Sequence, residues 1–236
     1  MYTYLLIDVF ALLLPFVLSF TRKYYFRKNW REVFTAIILT GIFFIVWDII
    51  FTVKGIWGFN DRYILGIDIF YLPLEEWLFF FVIPYACMFT YFAFNEISRK
   101  TFYDKYIYGL TNLLAAILII VGVMNLERLY TSVTFLLTGV FLLIHVHILK
   151  SKYLELFYRA YLFVFFFPFL IVNGILTGSF LQDEVVWYNN LENLSIRVFT
   201  IPIEDYFYGM LLFLMNVTFY EYFLKQWRSS KTRLTV

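Results

Sequence analysis

The feature that most constrains this chain is a series of apolar stretches, each about long enough to cross a lipid bilayer. A span needs about 20 mostly apolar residues to cross a hydrocarbon core of roughly 30 Å. Because lipid offers the backbone no hydrogen-bond partner, each span is expected to be a helix. We predict seven spans, at residues 2–20, 33–53, 72–94, 107–124, 131–149, 160–180 and 201–224.

Composition supports a membrane protein and argues against several other classes. Hydrophobic residues make up 62% of the chain and charged residues 15%, whereas a soluble domain is about a quarter charged. A single cysteine, Cys87, excludes an intramolecular disulfide and a cysteine-based metal site. His145 and His147 stand about 200° apart around a helix, so we interpret them as structural residues. We therefore predict no metal, no cofactor and no nucleic-acid partner.

The lysine and arginine residues predict the orientation of the spans. Of the 19 basic residues, only Lys54, Arg62, Arg128 and Arg197 lie in one set of alternate loops. Cytoplasmic loops carry the excess of basic residues, which predicts an inner-membrane protein with its N-terminus outside and its C-terminus in the cytoplasm. The cytoplasmic set contains Arg22, Lys23, Arg27, Lys28, Arg31, Arg99, Lys100, Lys105, Lys150, Lys152, Arg159, Lys225, Arg228, Lys231 and Arg233.

The two halves of the chain resemble each other. Pro73-Leu74-Glu75-Glu76 begins the third span and Pro202-Ile203-Glu204-Asp205 begins the seventh, so each half has a Pro-x-acid-acid motif. An aromatic–Asn pair precedes each motif, at Phe59-Asn60 and at Tyr188-Asn189. Polar residues also lie late in the second and sixth spans, at Trp47-Asp48 and Asn173-Gly174.

This repeat predicts the fold class and the domain organisation. We expect an all-α membrane protein of seven transmembrane helices, in which two three-helix repeats of parallel orientation are joined by a linking helix. The first repeat covers residues 1–94, and the linker with the fourth helix covers residues 95–130. Residues 131–236 form the second repeat and a cytoplasmic tail.

Carboxylates in or beside the spans are the candidate catalytic groups. An acid after a proline is an ordinary helix start, yet two copies at matching positions favour a buried cluster. Asp48 lies inside an apolar span, where an ionisable residue indicates either function or a hydrogen bond between helices. Asp8 is expected at the same depth, while Glu221 is interpreted as a solvated helix end. The predicted catalytic residues are Asp48, Glu75, Glu76, Glu204 and Asp205.

Such a cluster favours proton-transfer chemistry. Two neighbouring carboxyls in a low-dielectric site do not easily ionise together, so one tends to hold a proton and can act as a general acid beside a general base. Aromatic faces can stabilise a nearby cation, although Trp and Tyr also form belts at the membrane interface. The predicted substrate-binding residues are Trp47, Trp57, Asn60, Trp77, Phe79, Phe80, Asn173, Asn189 and Tyr208.

These motifs resemble the integral-membrane lycopene cyclases built from two small homologous halves, in the fused single-chain form of some bacteria. The resemblance covers about residues 2–224 and is carried most specifically by the two Pro-x-acid-acid motifs. It implies that lycopene within the bilayer is protonated at a terminal double bond, closes to a ring and loses a proton to give beta-carotene, without net redox change. It assigns the motif carboxylates to Glu75, Glu76, Glu204 and Asp205.

Several alternatives stay open on the sequence alone. An epsilon-cyclase or a hydratase of the same architecture would carry the same motifs. The motifs also do not determine which carboxylate is the acid and which is the base, whether one or both ends of the substrate are cyclised, or the oligomeric state. A retinal-binding opsin needs a lysine in the seventh span, where only Lys225 stands at the end. A transporter is less favoured, because we expect the second and sixth spans to lack a clear Gly or Pro interruption, apart from Gly174 and Gly178.

Overall fold

The chain folds almost entirely into helices. A computed structural model describes residues 2–21, 24–97 and 105–233, so Arg22, Lys23, Arg99 and Lys100 of the predicted cytoplasmic set lie outside the described residues. The helices in these ranges are α1 Thr3–Leu18, α2 Trp30–Val53, α3 Leu74–Ile97, α4 Lys105–Met124, α5 Leu129–Leu143, α6 Leu154–Phe166, α7 Pro168–Leu176 and α8 Ile203–Arg233. A 3₁₀ turn at Phe26–Asn29 precedes α2, and a π-helical turn at Ile144–Ile148 extends α5.

The length and composition of the helices fit a multi-pass membrane protein. Five segments are long and apolar enough to cross a bilayer, and they contain α2, α3, α4, α5 and α8. The bent pair α6–α7 passes the same test when it is taken as one span, while α1 is a shorter apolar helix of 16 residues. Every predicted span therefore overlaps one of these helices or the bent pair.

The predicted sixth span is broken in the middle. α6 ends at Phe166, α7 begins at Pro168, and the two helices are bent by 49° relative to each other. Proline supplies no backbone N–H, and its ring clashes with the preceding helical turn, so a continuous helix is disfavoured at this point. The expectation that this span lacks a Gly or Pro interruption was therefore wrong.

Three short antiparallel strand pairs cover the end of the molecule where the two acidic motifs lie. The hairpins β2–β3 (Asp68–Ile69 and Leu72–Pro73) and β5–β6 (Arg197–Val198 and Ile201–Pro202) lead directly into α3 and α8. Each hairpin thus positions one Pro-x-acid-acid motif at the start of its helix.

The third strand pair joins the loops of the two halves. Strand β1 (Trp57–Phe59) pairs with β4 (Val186–Tyr188), and Gly58 lies opposite Trp187. The bonds that flank this pair are reciprocal, since the N–H of Asn60 donates to Val185 O at 2.9 Å and that of Asn189 donates to Ile56 O at 2.8 Å. A Cβ atom on Gly58 would stand 2.4 Å from Trp187 Cζ2, so this close approach requires glycine.

Helix α4 packs against α5 through small residues. A Cβ atom on Gly139 would stand 2.7 Å from Ile119 Cγ1, and one on Gly122 would stand 2.9 Å from Leu136 Cγ. Close approach of backbones at glycine is typical of helix packing in membranes, where apolar burial between helices gives little driving force. The remaining helices meet in pairs such as α1 with α3 and α2 with α8, and an apolar cavity lies between several of them.

Candidate functional site

A cavity of about 920 Å³ lies between α1, α3, α6, α7 and α8. Its walls are mostly aromatic and aliphatic, and the described residues that line it include no lysine, arginine or histidine. Its carboxylates are Asp48, Glu76 and Asp205, which belong to both halves of the chain. A site of this kind can hold an apolar ligand beside groups that transfer protons.

The first half places two neighbouring carboxyls on the cavity. Asp48 comes from the last third of α2 and Glu76 from the first turn of α3, and the two groups interact electrostatically. Tyr4 Oη donates to Glu76 Oε2, and Trp57 Nε1 donates to Asp48 Oδ1 at 2.5 Å. All four side chains are buried. Because two adjacent buried carboxyls disfavour double ionisation, this pair is suited to hold a proton.

The second half surrounds its carboxylate with donors instead. Asp205 accepts from Tyr130 Oη at 2.5 Å, from Asn173 Nδ2 at 2.6 Å and from Tyr188 Oη at 3.0 Å. Hydrogen bonds to a carboxylate favour its charged form. The corresponding place in the second half thus holds Asn173, an amide donor, where the first half has the carboxyl of Asp48. The two sides of the site are chemically different.

The first acid of each motif faces the loops. Glu75 Oε1 accepts the backbone N–H of Leu65 at 2.7 Å, and Glu204 Oε1 accepts that of Leu194 at 2.8 Å. Glu204 also accepts from Thr131 Oγ1 at 2.6 Å. Neither Glu75 nor Glu204 lines the cavity. Successive residues of a helix point about 100° apart, so both acids of one motif do not face the same side.

Two further acids lie elsewhere. Asp8 is buried on α1 with both carboxyl oxygens unpartnered among the described residues, and it interacts electrostatically with Glu75 behind the cavity wall. Glu221 is half-buried and accepts from Tyr91 Oη at 2.7 Å. The interpretation of Glu221 as a solvated helix end was therefore wrong, because a tyrosine of α3 reaches it across the interface with α8.

The structure brings only some of the predicted substrate-binding residues to the cavity. Trp57, Phe79, Asn173 and Tyr208 line it. Trp47 does not, but its ring packs behind that of Tyr208 with centroids 5.0 Å apart.

The other predicted residues stabilise loops and helix contacts. Asn60 Oδ1 and Asn189 Oδ1 each accept a backbone N–H two residues later at 3.1 Å, which is the bond of an Asx turn. Trp77 Nε1 donates to Ile69 O at 3.0 Å, and Phe80 packs against Phe44. The side chains of these four residues stabilise the loops and helices around the cavity, and none of them lines it.

The predicted site residues did not include three tyrosines that donate hydrogen bonds to the carboxylates. Tyr4 and Tyr130 occupy equivalent places, at the start of α1 and of α5, and each donates to the second acid of its own half. Tyr188 donates to Asp205 from β4. The available signal was the repeat itself, because both halves open their first helix with a tyrosine.

The two histidines have structural partners. His145 contacts Ser151 Oγ at 2.7 Å through Nδ1 and Thr218 Oγ1 at 3.0 Å through Nε2, while His147 Nε2 lies 2.9 Å from Asn112 Oδ1. Within residues 2–21, 24–97 and 105–233, no group of three or more His, Cys, Asp or Glu side chains is arranged to hold a metal ion.

Comparison with known proteins gives one match. The family model described as lycopene cyclase matches residues 1–94 and 127–223, which leaves out the whole of α4. No curated protein and no solved structure matches the chain.

Proposed function

Because the chain belongs to the lycopene cyclase family, and is thereby a carotenoid cyclase, we propose that it is a lycopene beta-cyclase that closes the linear ends of lycopene to beta rings. The observation that carries the proposal is the convergence of Asp48, Glu76 and Asp205 on one apolar cavity. A redox-neutral ring closure needs a proton donor, a proton acceptor and an apolar pocket for a hydrocarbon, and three carboxylates on a largely apolar cavity support this proposal.

The Asp48–Glu76 pair is the proposed general acid. One shared proton is delivered to the terminal double bond, which leaves a carbocation on the neighbouring carbon. The electrons of a nearby double bond then form the ring and move the positive charge into it. The faces of Trp57, Phe79 and Tyr208 line the cavity and can stabilise this charge.

Asp205 is the proposed base. Its three hydrogen-bond donors favour the carboxylate form, in which it would attract the ring cation and accept the proton that a ring carbon loses. One proton enters and one leaves, so lycopene and its product have the same composition. Ring type depends on which carbon loses the proton, and therefore on where Asp205 stands relative to the ring. Glu75 and Glu204 act here as positioning residues that hold the loops over the site.

A pigment assay tests this function directly. The chain is expressed in a bacterium that accumulates lycopene, and the pigments are separated against standards with beta, epsilon and hydrated end groups. We expect a change from red to orange and a product that chromatographs as beta-carotene. Epsilon rings would contradict the ring type, a hydrated product would make the chain a hydratase, and unchanged lycopene would contradict cyclisation.

We also propose seven membrane spans in two equivalent halves, with the N-terminus outside and the C-terminus in the cytoplasm of an inner-membrane protein. The matching hairpins before α3 and α8 and the reciprocal β1–β4 bonds support the repeat. The distribution of basic residues supports the orientation. Reporter fusions after Arg31 and after Lys225 should both be active in the cytoplasm, and a periplasmic signal from either fusion would contradict this topology.

A further inference from the structure

We propose that the cavity binds its substrate end-first and lengthwise, so that one binding event closes one ring. A second ring, when it forms, then requires release of the monocyclic product and its return in the opposite direction. The inference rests on the proposed function and adds to it how the substrate is held and in what order its ends react.

The cavity is long in the direction of the helices. Its lining runs along α1 from Tyr4 to Leu18 and along α3 from Glu76 to Ile97. At 1.5 Å per helical residue, these stretches are about 20 Å and 30 Å long. The cavity is thus a slot that extends across most of a bilayer core, which is the shape needed for an extended polyene.

All of its carboxylates lie at one end of the slot. Asp48, Glu76 and Asp205 stand beside the hairpins and the β1–β4 pair, where α3 and α8 begin. The opposite end is lined by residues such as Leu18, Tyr24, Phe94 and Ile97, and no acid lines it among residues 2–21, 24–97 and 105–233. A polyene whose first end meets Asp48, Glu76 and Asp205 therefore has its second end far from every carboxylate that the described part of the chain brings to the cavity.

The two acidic motifs form one reaction centre. Trp57 donates to Asp48, its ring centroid lies 5.0 Å from that of Tyr130, and Tyr130 donates to Asp205. Two side chains therefore link the carboxylates of the two halves. An enzyme that used each half for one end of the substrate would need two acid sites separated by the length of the polyene, and this arrangement does not provide them.

The slot opens sideways towards lipid. Phe10 and Leu14 of α1 line it and are 69% and 66% exposed, while Ile171 of α7 lines it and is 63% exposed. These side chains line the slot and are also exposed at the protein surface. The slot is therefore open along the side of the protein between α1 and the bent pair α6–α7. A hydrocarbon can pass through such an opening from the bilayer without crossing water, and it can leave, turn and return by the same route.

An isotope experiment tests release between the two ring closures. Isotopically labelled lycopene is given to the full-length protein in liposomes, with and without a large excess of the unlabelled monocyclic carotenoid. We expect the ratio of labelled bicyclic to labelled monocyclic product to fall in proportion to the dilution of the monocyclic pool. A product that stays monocyclic also supports one ring per binding event. A ratio that the excess does not change would overturn the proposal.

A slot-filling variant tests the lengthwise pose. Ala93 of α3 lines the slot well away from the acids, so Ala93→Phe should obstruct a long polyene and slow lycopene turnover by up to about 10²-fold through misplacement of the reacting end. A shorter acyclic polyene with the same end group should still react at the unmodified rate, which also reports correct folding. Ala116→Phe, on the exposed face of α4, is the matched control.

The two proposals fail in different ways. Equal loss on the long and short substrates in Ala93→Phe, or no loss on either, would contradict the lengthwise pose while cyclase activity in the unmodified chain persists. Absence of any cyclised product from the unmodified chain would instead contradict the proposed function.

Discussion

At the scale of single residues, helix geometry gives adjacent acids different surroundings. Glu76 and Asp205 line the cavity, whereas Glu75 and Glu204 accept backbone N–H groups of the preceding loops. The sequence predicted that these four acids matter together, but it could not show which acid of each pair faces inward. Which acid faces inward depends on the rotation of α3 and α8 about their axes. The residues around both motifs are aromatic on every face of the helix, so the sequence pattern does not indicate this rotation.

Replacing Glu76 by Gln tests the acid. The amide preserves shape but does not cycle a proton, so we expect turnover to fall by about 10²–10⁴-fold at normal abundance in the membrane. Glu127→Gln, in the exposed loop before α5, is the matched control and should leave turnover unchanged. Product formation is measured per mole of inserted protein, and near-normal turnover in Glu76→Gln would remove this residue from the mechanism.

Replacing Glu204 by Gln tests the positioning role. The change replaces the acceptor of the bonds from Leu194 N and Thr131 Oγ1 by a weaker one, and a typical hydrogen bond contributes about 0.5–1.5 kcal/mol. We expect a lower midpoint of thermal unfolding in detergent, with turnover per folded molecule reduced far less than in Glu76→Gln. An unchanged midpoint together with a catalytic loss as large as that of Glu76→Gln would show that Glu204 takes part in the chemistry.

At the scale of helices and strands, apolar length predicted most of the structure. Every predicted span overlaps a helix or the bent pair, because backbone groups in lipid can be satisfied only within helices or closed barrels. The two hairpins were not predicted. Their turns have positive φ at Phe70, Tyr71 and Phe199, where glycine or asparagine is the usual sequence signal. The proline break in the sixth span was visible in the sequence as Pro168, but apolar length alone does not reveal it.

Replacing Gly139 by Leu tests the packing of α4 on α5. The new side chain would collide with Ile119 and with Ala115 O, and overpacking of this kind costs about 1–3 kcal/mol. We expect a lower unfolding midpoint with normal turnover in the protein that remains folded, since no described residue of α4 lines the cavity. Gly109→Leu, where a Cβ meets nothing within 4 Å, is the control. Equal midpoints for both variants would contradict the close α4–α5 contact.

At the scale of the whole molecule, residues from before and after α4 form the site, and no described residue of α4 lines it. Asp48 and Glu76 come from the first half, Asp205 from the second, and the β1–β4 pair joins the two outer loops. The family match likewise covers the regions before and after α4 and leaves out the whole of α4. The repeat stays a prediction from the sequence, and the different surroundings of Asp48 and Asp205 depend on which groups lie beside each carboxylate in three dimensions.

Cutting the chain between Leu126 and Glu127, in the exposed turn before α5, tests this division of the site. We expect each piece alone to be inactive and the two co-expressed pieces to regain cyclase activity, because they can pair through β1 and β4. Pigment analysis with the uncut chain as reference is the measurement. Activity from one piece alone would contradict a cavity shared between the halves.

The lateral opening between α1 and α6–α7 changes what substrate concentration means for this protein. A carotenoid that passes from the bilayer into the slot is never dissolved in water, so the relevant quantity is its mole fraction in the lipid. Adding empty liposomes that fuse with the enzyme's membrane should slow the reaction even though the amounts of enzyme and carotenoid in the tube stay the same. Diluting the whole suspension with buffer should leave the turnover of each enzyme molecule unchanged.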